Sequence, residues 1–217
     1  MADNQAYRGN ADPTSSSHEF NLMRFIISGA LAKVRTVEAV QVVSCMNDGG
    51  LAAAGTVDVL PLVNQLDGYG QPTPHTTIFK RPYLRWQGGA RAVILDPVAG
   101  DIGLLVCCDR DTSLVLNTLA QANPGSARKF DFADGFYIQA LGKDVPTSFL
   151  QFTGDDINLT APGTITVKAA TIVLDGPVQG TETADFEGDV TGEGISLAHH
   201  THGGVQTGGG NTGEPNG

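Results

Sequence analysis

Three of the five histidines fall within four residues, in the run Leu197-Ala-His199-His200-Thr201-His202-Gly203-Gly204. Neutral imidazole is the commonest side-chain ligand of transition metals, and residues at i, i+2 on an extended backbone point to the same side. His200 and His202 have that spacing, and His199 is expected to face the other way. Two imidazoles make an incomplete site. Three copies of the pair around a threefold axis supply six nitrogens, an octahedral set that favours Fe(II), Ni(II) or Co(II) over Zn(II), which takes four ligands. The plain alternative is a solvated terminal loop that happens to contain histidine. The strand pattern that precedes the cluster favours the metal site.

Other residues with chemical potential have simpler readings. Cys107 and Cys108 end an apolar run and read as a core strand. With Cys45 they make three cysteines, which cannot all pair, so buried thiols in a reducing compartment are expected. His18 and His75 sit in loop-like contexts and read as surface histidines. Asp155-Asp156 reads as a turn rather than a Ca²⁺ site. Lys80, Arg81, Arg85 and Arg91 flank Trp86, a pattern that could bind single-stranded nucleic acid on a small barrel. The chain as a whole carries 13 Lys and Arg against 23 Asp and Glu, a net charge of −10. Together with the lack of a second aromatic platform, that excludes a specific nucleic acid as the expected partner.

The elements that must position the histidines are unevenly distributed. Residues 1–143 hold 12 basic and 13 acidic residues, whereas 144–217 hold only Lys168 against ten acids. The second stretch has no Trp or Tyr and only Phe149, Phe152 and Phe186, so it cannot easily build a private core. No run of 18 apolar residues suggests a membrane helix, and Met1 to Ser17 lacks the apolar centre of a secretory signal.

Residues 1–18 read as a flexible polar arm. Leu22, Phe25, Ile26, Ala30 and Val34 recur at helical spacing and predict a short amphipathic helix over 19–33. A strand follows at 37–43, then a turn at Asn47-Asp48-Gly49-Gly50, and strand-like runs at 52–64, 76–86, 90–95 and 102–108. Asp96 to Asp101 is expected to connect the last two tightly. A helix over 112–122 should stop at Asn123-Pro124-Gly125, and 130–141 reads as a hairpin around Asp134-Gly135. Five or so strands with an interposed helix fit a small barrel such as the OB-fold; an SH3-like barrel or an open sheet fits nearly as well.

After Pro146 come short alternating runs: Phe149-Leu-Gln-Phe, Ile157-Asn-Leu-Thr-Ala, Thr164-Ile-Thr-Val-Lys-Ala and Thr171-Ile-Val-Leu-Asp. Each is closed by a turn, at Gly154-Asp155, Pro162-Gly163, Gly176-Pro177 or Gly188-Asp189. Such spacing is the signature of a β-solenoid, but one chain has too few turns to close its core. Three chains wound together would close it, so a trimer is expected.

The ending from His200 to Pro215, His-Thr-His-Gly-Gly-Val-Gln-Thr-Gly-Gly-Gly-Asn-Thr-Gly-Glu-Pro, resembles the central membrane-piercing spike proteins of contractile-tailed bacteriophage baseplates, the baseplate assembly protein V type. Val63-Asn-Gln-Leu-Asp-Gly-Tyr-Gly, Trp86-Gln-Gly-Gly-Ala, Ile94-Leu-Asp-Pro-Val-Ala-Gly-Asp-Ile-Gly-Leu and Gln121-Ala-Asn-Pro-Gly-Ser are similar to that family's N-terminal domain. The resemblance implies a mainly β homotrimer. Residues 19–143 would form a helix plus an OB-fold-like domain, 144–198 an intertwined triple-stranded β-helix, and 199–217 a metal-binding apex. It further implies one iron ion (Fe²⁺) per trimer, held by His200 and His202 from each chain. The implied role is to pierce the host cell envelope on tail contraction. The implied partners are other phage baseplate or tail proteins, which the basic surface around Trp86 would dock. The implied location is the baseplate tip of the virion, after assembly in the host cytoplasm.

No catalytic residues are expected. Once barrel and needle are assigned, no stretch remains for a lytic insert, and six histidines leave a metal no open position for catalysis. Two other readings share the needle: a trimeric glycan-binding adhesin and a cell-wall-degrading metalloenzyme. The scarcity of aromatic residues in 144–217 disfavours the adhesin.

Overall fold

The computed structural model describes residues 14–47, 50–51, 53–142, 144–204 and 208. The first thirteen residues of the expected arm, Asp48-Gly49 of the expected turn, and apex residues 205–207 and 209–217 lie outside the described residues. The chain divides into two compact units, Met1–Thr160 and Ala161–Gly217.

In the first unit, helix α1 spans Glu19–Leu31. It starts where predicted because His18 is extended and its Nδ1 accepts the Phe20 N–H at 3.2 Å, satisfying one of the free amides of the first turn. It buries none of its residues: Phe20, Met23, Ile26, Ile27 and Leu31 are each more than half exposed. The apolar stripe exists, but its side chains remain exposed.

Thirteen strands follow among the described residues. β1 is Val37–Cys45, β2 Thr56–Pro61, β3 Gln65–Leu66, β4 Pro72–Thr73, β5 Ile78–Pro82, β6 Trp86–Gly88, β7 Arg91–Val93, β8 Ile102–Cys107 and β9 Gly135–Leu141. A short helix α2, Ser113–Thr118, lies between β8 and β9. β10 is Phe149–Thr153, β11 Asp156–Thr160, β12 Thr191–Gly192 and β13 Ile195–Ser196.

Five strands make one curled, half-barrel sheet in the order β5-β2-β1-β8-β9, with its ladders antiparallel. Strict period-two burial in β2 and β8 turns Val57, Val59, Leu105 and Cys107 inward. They meet Val40, Val42, Tyr83 and Tyr137 in one core. Register shifts at Val42/Ser44, Val57/Val59 and Ile102/Gly103 add local twist and curl the sheet. Just beyond β5, Tyr83 bridges Tyr137 of β9 in parallel, and the Leu84 N–H donates to the Tyr137 carbonyl at 3.1 Å. The two edges of the sheet therefore approach each other. Gly103 makes room for this closure, since a Cβ there would sit 2.6 Å from Cε2 of Tyr137.

Several boundaries differ from the sequence expectation. The 52–64 run forms a strand only over Thr56–Pro61, and 76–86 splits between β5 and the start of β6. β7 pairs with β6 rather than leading directly into a paired β8. α2 stops at Leu119, which takes the left-handed conformation (φ 51°), before Asn123-Pro124-Gly125 is reached. Asp134-Gly135 is not a hairpin turn. The Asp131 carboxylate accepts the Ala133 N–H at 2.8 Å and caps a 3₁₀ turn, Phe132–Asp134, that feeds straight into β9.

The alternating runs after Pro146 have two fates. Phe149–Thr153 and Asp156–Thr160 form the β10–β11 hairpin around Gly154-Asp155, pairing Leu150 with Leu159 and Phe152 with Ile157. In the second unit, 161–190 forms no helix or strand within the single chain. Its apolar side chains Ile165, Val167, Ile172 and Leu174 are exposed.

Candidate metal centre

The histidine cluster follows directly from the β12–β13 hairpin in the second unit. Gly192 faces Ile195, and the two residues between them, Glu193 (φ 50°) and Gly194 (φ 82°), both have positive φ. That is the requirement of a tight two-residue hairpin turn whose twist matches its strands, and glycine in its second position meets it without strain. The Leu197 N–H donates to the Val190 carbonyl at 2.7 Å, extending the hairpin by one step.

Beyond Ser196 the chain turns over Leu197–His199, so His199 lies in a turn, His200 and His202 follow it, and none of the three is on the expected strand. The Ala198 N–H donates to Oδ1 of Asp189 at 3.0 Å, and the His199 N–H donates to Oγ of Ser196 at 2.8 Å. Nδ1 of His200 lies 2.9 Å from the Ser196 carbonyl oxygen and 3.1 Å from that of Leu197. A carbonyl only accepts, so Nδ1 carries the proton and the lone pair is left on Nε2. The rings of His200 and His202 stand edge to face, with centroids 5.0 Å apart. Among the described residues that ring contact joins His200 with His202, and His199 takes no part in it.

These residues fit a metal in kind. Two imidazoles bound side by side to one ion through bonds of about 2.1 Å have ring centroids roughly 5 Å apart. A backbone acceptor on Nδ1 is the usual device for presenting Nε2 to a metal. They do not fit in number: among the described residues, no group of three or more His, Cys, Asp or Glu comes together. One chain supplies half of a four-donor set, or a third of an octahedral one.

Asp189 and Ser196 escaped sequence reasoning, although both are polar and lie close to the cluster. Asp189 was absorbed into a Gly-Asp turn signal, and its partner Ala198 lies nine positions on, across a hairpin that single-residue preferences do not reveal. Hydrogen bonds from the Ser196 hydroxyl, then from backbone amides, hold the Asp189 carboxyl below its ordinary value.

The other flagged residues are structural. His18 caps α1. His75 is half-buried rather than a surface residue, its ring edge-on to Phe132 with centroids 5.8 Å apart. Cys107 lies in the core, where burial pushes its thiol up to about 11, and Cys108 is half-buried. Asp156 opens β11 beside the Gly154-Asp155 turn. The basic cluster around Trp86 is largely committed. Arg85 forms a two-pronged ion pair with Asp96 at 2.7 and 2.6 Å, nearly sealed from solvent, and Arg81 donates to the carbonyls of Phe132 and Ala133. Trp86 itself is exposed.

Residues 194–216 match the family described as the GpV Apex motif. No curated protein matches the chain. The matched segment begins at the hairpin turn and contains His200 and His202. The match supports a baseplate central spike protein of the gpV type. The apex family is a structural component of the spike and not an enzyme, and it is known in general for metal at the tip.

Proposed function

We propose that this chain is the membrane-piercing subunit of a phage tail spike, three copies of which wind into a needle tipped by one iron ion. The observation that carries the reading is an apolar row with no cover. Leu150, Phe152, Ile157, Leu159, Ile165, Val167, Ile172 and Leu174 are each at least 46% exposed in the single chain. Soluble proteins do not leave so long a series of aliphatic side chains in water, and winding three chains together buries all of them at once. The series runs from Leu150 to Leu174, within the expected triple-stranded β-helix over 144–198.

The five-stranded sheet and the parallel Tyr83–Tyr137 bridge support an OB-type barrel over 19–143. The exposed stripe of α1 and the exposed Trp86 are suited to docking on neighbouring baseplate proteins. In the second unit, His200 and His202 of each chain would hold the ion. A metal supplies cross-linking there, fastening three chain ends that would otherwise fray. The protein's own part is to keep Nε2 of His200 unprotonated and aimed, which the carbonyls of Ser196 and Leu197 do. Contraction of the tail would drive this rigid tip through the host envelope, after assembly in the host cytoplasm, and no bond needs to be made or broken.

Light scattering on the full chain and on a chain ending at residue 143 tests the reading. The full chain should be trimeric and the truncated one monomeric. A stable trimer of the truncated chain would place assembly in the barrel and overturn the needle's part in it.

A further inference from the structure

We infer that Asp189 is a positioning residue for the apex, fixing the proton of His200 on Nδ1 and so presenting Nε2 to the metal. The inference rests on the proposed role of His200 and His202 as ligands. It comes from a chain of contacts that starts nine residues before Ala198.

A backbone that leaves a hairpin into a three-residue turn exposes successive amides with no ladder partner. Here both find side chains. Asp189 takes the Ala198 N–H, and Ser196 Oγ takes the His199 N–H. The consequence falls on the opposite side of the peptide that Asp189 holds. The Leu197 carbonyl shares that peptide with the Ala198 N–H, and the Ser196 carbonyl shares the preceding one with the Leu197 N–H, which the Val190 carbonyl holds at 2.7 Å, so both carbonyls are fixed in direction. Both converge on Nδ1 of His200. Asp189 touches no histidine ring, yet it sets which ring nitrogen keeps its lone pair.

A freely solvated histidine exchanges between its two neutral tautomers, and only one of them offers Nε2 to an ion on the side where His202 stands. Loss of the carboxylate should therefore weaken the metal without removing a ligand. Outer groups that orient metal-bound histidine typically matter by roughly 10–100-fold in affinity. Acting through a peptide, Asp189 belongs at the lower end, about tenfold.

The experiment uses the full chain as wild type, Asp189→Ala, Asp189→Asn, Ser196→Ala and the double variant His200→Ala/His202→Ala. Iron(II) affinity is measured by competition with a chelator, and trimer content is checked by light scattering. In parallel, metal-stripped protein carrying ¹⁵N-labelled histidine reports the His200 tautomer by NMR. Asp189→Ala should bind about tenfold more weakly and show mixed His200 tautomers. Asp189→Asn should recover most of both, because its amide oxygen still accepts from Ala198, and Ser196→Ala, which leaves that contact in place, should change both less than Asp189→Ala does. Unchanged affinity and an unchanged Nδ1-protonated ring in Asp189→Ala would overturn the inference, as would an asparagine variant as impaired as the alanine one. If wild type and the double histidine variant bind iron equally, the ligand assignment fails. The tautomer comparison then still decides whether Asp189 sets the His200 proton.

Discussion

The imidazoles of His200 and His202 meet edge to face, their planes 81° apart, although only Thr201 separates them and neither lies on a strand. The turn that follows the β12–β13 hairpin achieves what an extended i, i+2 spacing would have achieved, and it adds a fixed proton on one ring. Replacing both with alanine should abolish iron binding while leaving the trimer intact, because neither histidine belongs to the exposed apolar series from Leu150 to Leu174 that the wound chains would bury. Elemental analysis with light scattering checks this. Dissociation of the double variant would mean that the ion, and not the needle, holds the chains together.

His199→Ala should retain metal, since what the hairpin anchors at this residue is its backbone amide, which the substitution preserves. Loss of the ion from His199→Ala alone, read by the same elemental analysis, would show that the ligand pair has been assigned one residue out of place.

The barrel should be intolerant of any side chain at position 103. A Cβ there meets the Ile138 carbonyl and the Tyr137 ring, both fixed in the sheet, so relief requires the closing strand to move. Overpacking of this kind costs about 1–3 kcal/mol. Gly103→Ala should lower the thermal midpoint of the first unit by several degrees in calorimetry. An unchanged midpoint would mean that Tyr137 is free to withdraw.

Acid should loosen the β8–β9 connection in a defined window. Arg128 donates to both oxygens of Asp134, at 2.7 and 3.0 Å, and lies 3.2 Å from Asp111. The guanidinium holds the Asp134 carboxyl below its ordinary value, and hydrogen bonds from Ser113 and Ser126 hold that of Asp111 down at about 2. Carboxyls depressed in the folded state stabilise it above their unfolded value of 3.8. The contribution of Asp111 disappears as pH falls from 3.8 toward 2, and that of Asp134 as pH falls from 3.8 through its own lowered value. Denaturant midpoints of wild type and Arg128→Ala should differ most at pH 6 and converge below pH 3. A difference independent of pH would assign Arg128 a packing role instead.

Much of the barrel was legible because its strands alternate strictly. β2 and β8 turn every second residue inward, and the α1 stripe repeats at helical spacing. Asp134-Gly135 misled because a turn dipeptide does not reveal whether it joins two strands or ends a 3₁₀ turn. The outcome was set by Asp131 reaching the Ala133 amide. Arg81 and Arg85 looked like a binding surface because sequence shows charge but not its partners, and Asp96 lies eleven residues from Arg85. At the apex the juxtaposition of His200 and His202 was suggested by their spacing, although the extended backbone expected there does not form. Asp189 was not legible, since its contact is with a backbone amide, a group that side-chain identity does not reveal.

If the three chains form an intertwined needle, separation requires all of them to unwind together, so the barrier to opening should be high whatever the equilibrium stability. Unheated protein in SDS should migrate as a trimer and become monomeric only on boiling. A monomer band without heating would indicate chains lying merely side by side.

The most direct measurement is native mass spectrometry of the full chain purified without a nickel column. The account predicts a single species of three times the 22.6 kDa chain mass, carrying one additional ion with the mass of iron. A monomer, or a trimer in which each chain carries its own ion, would contradict it.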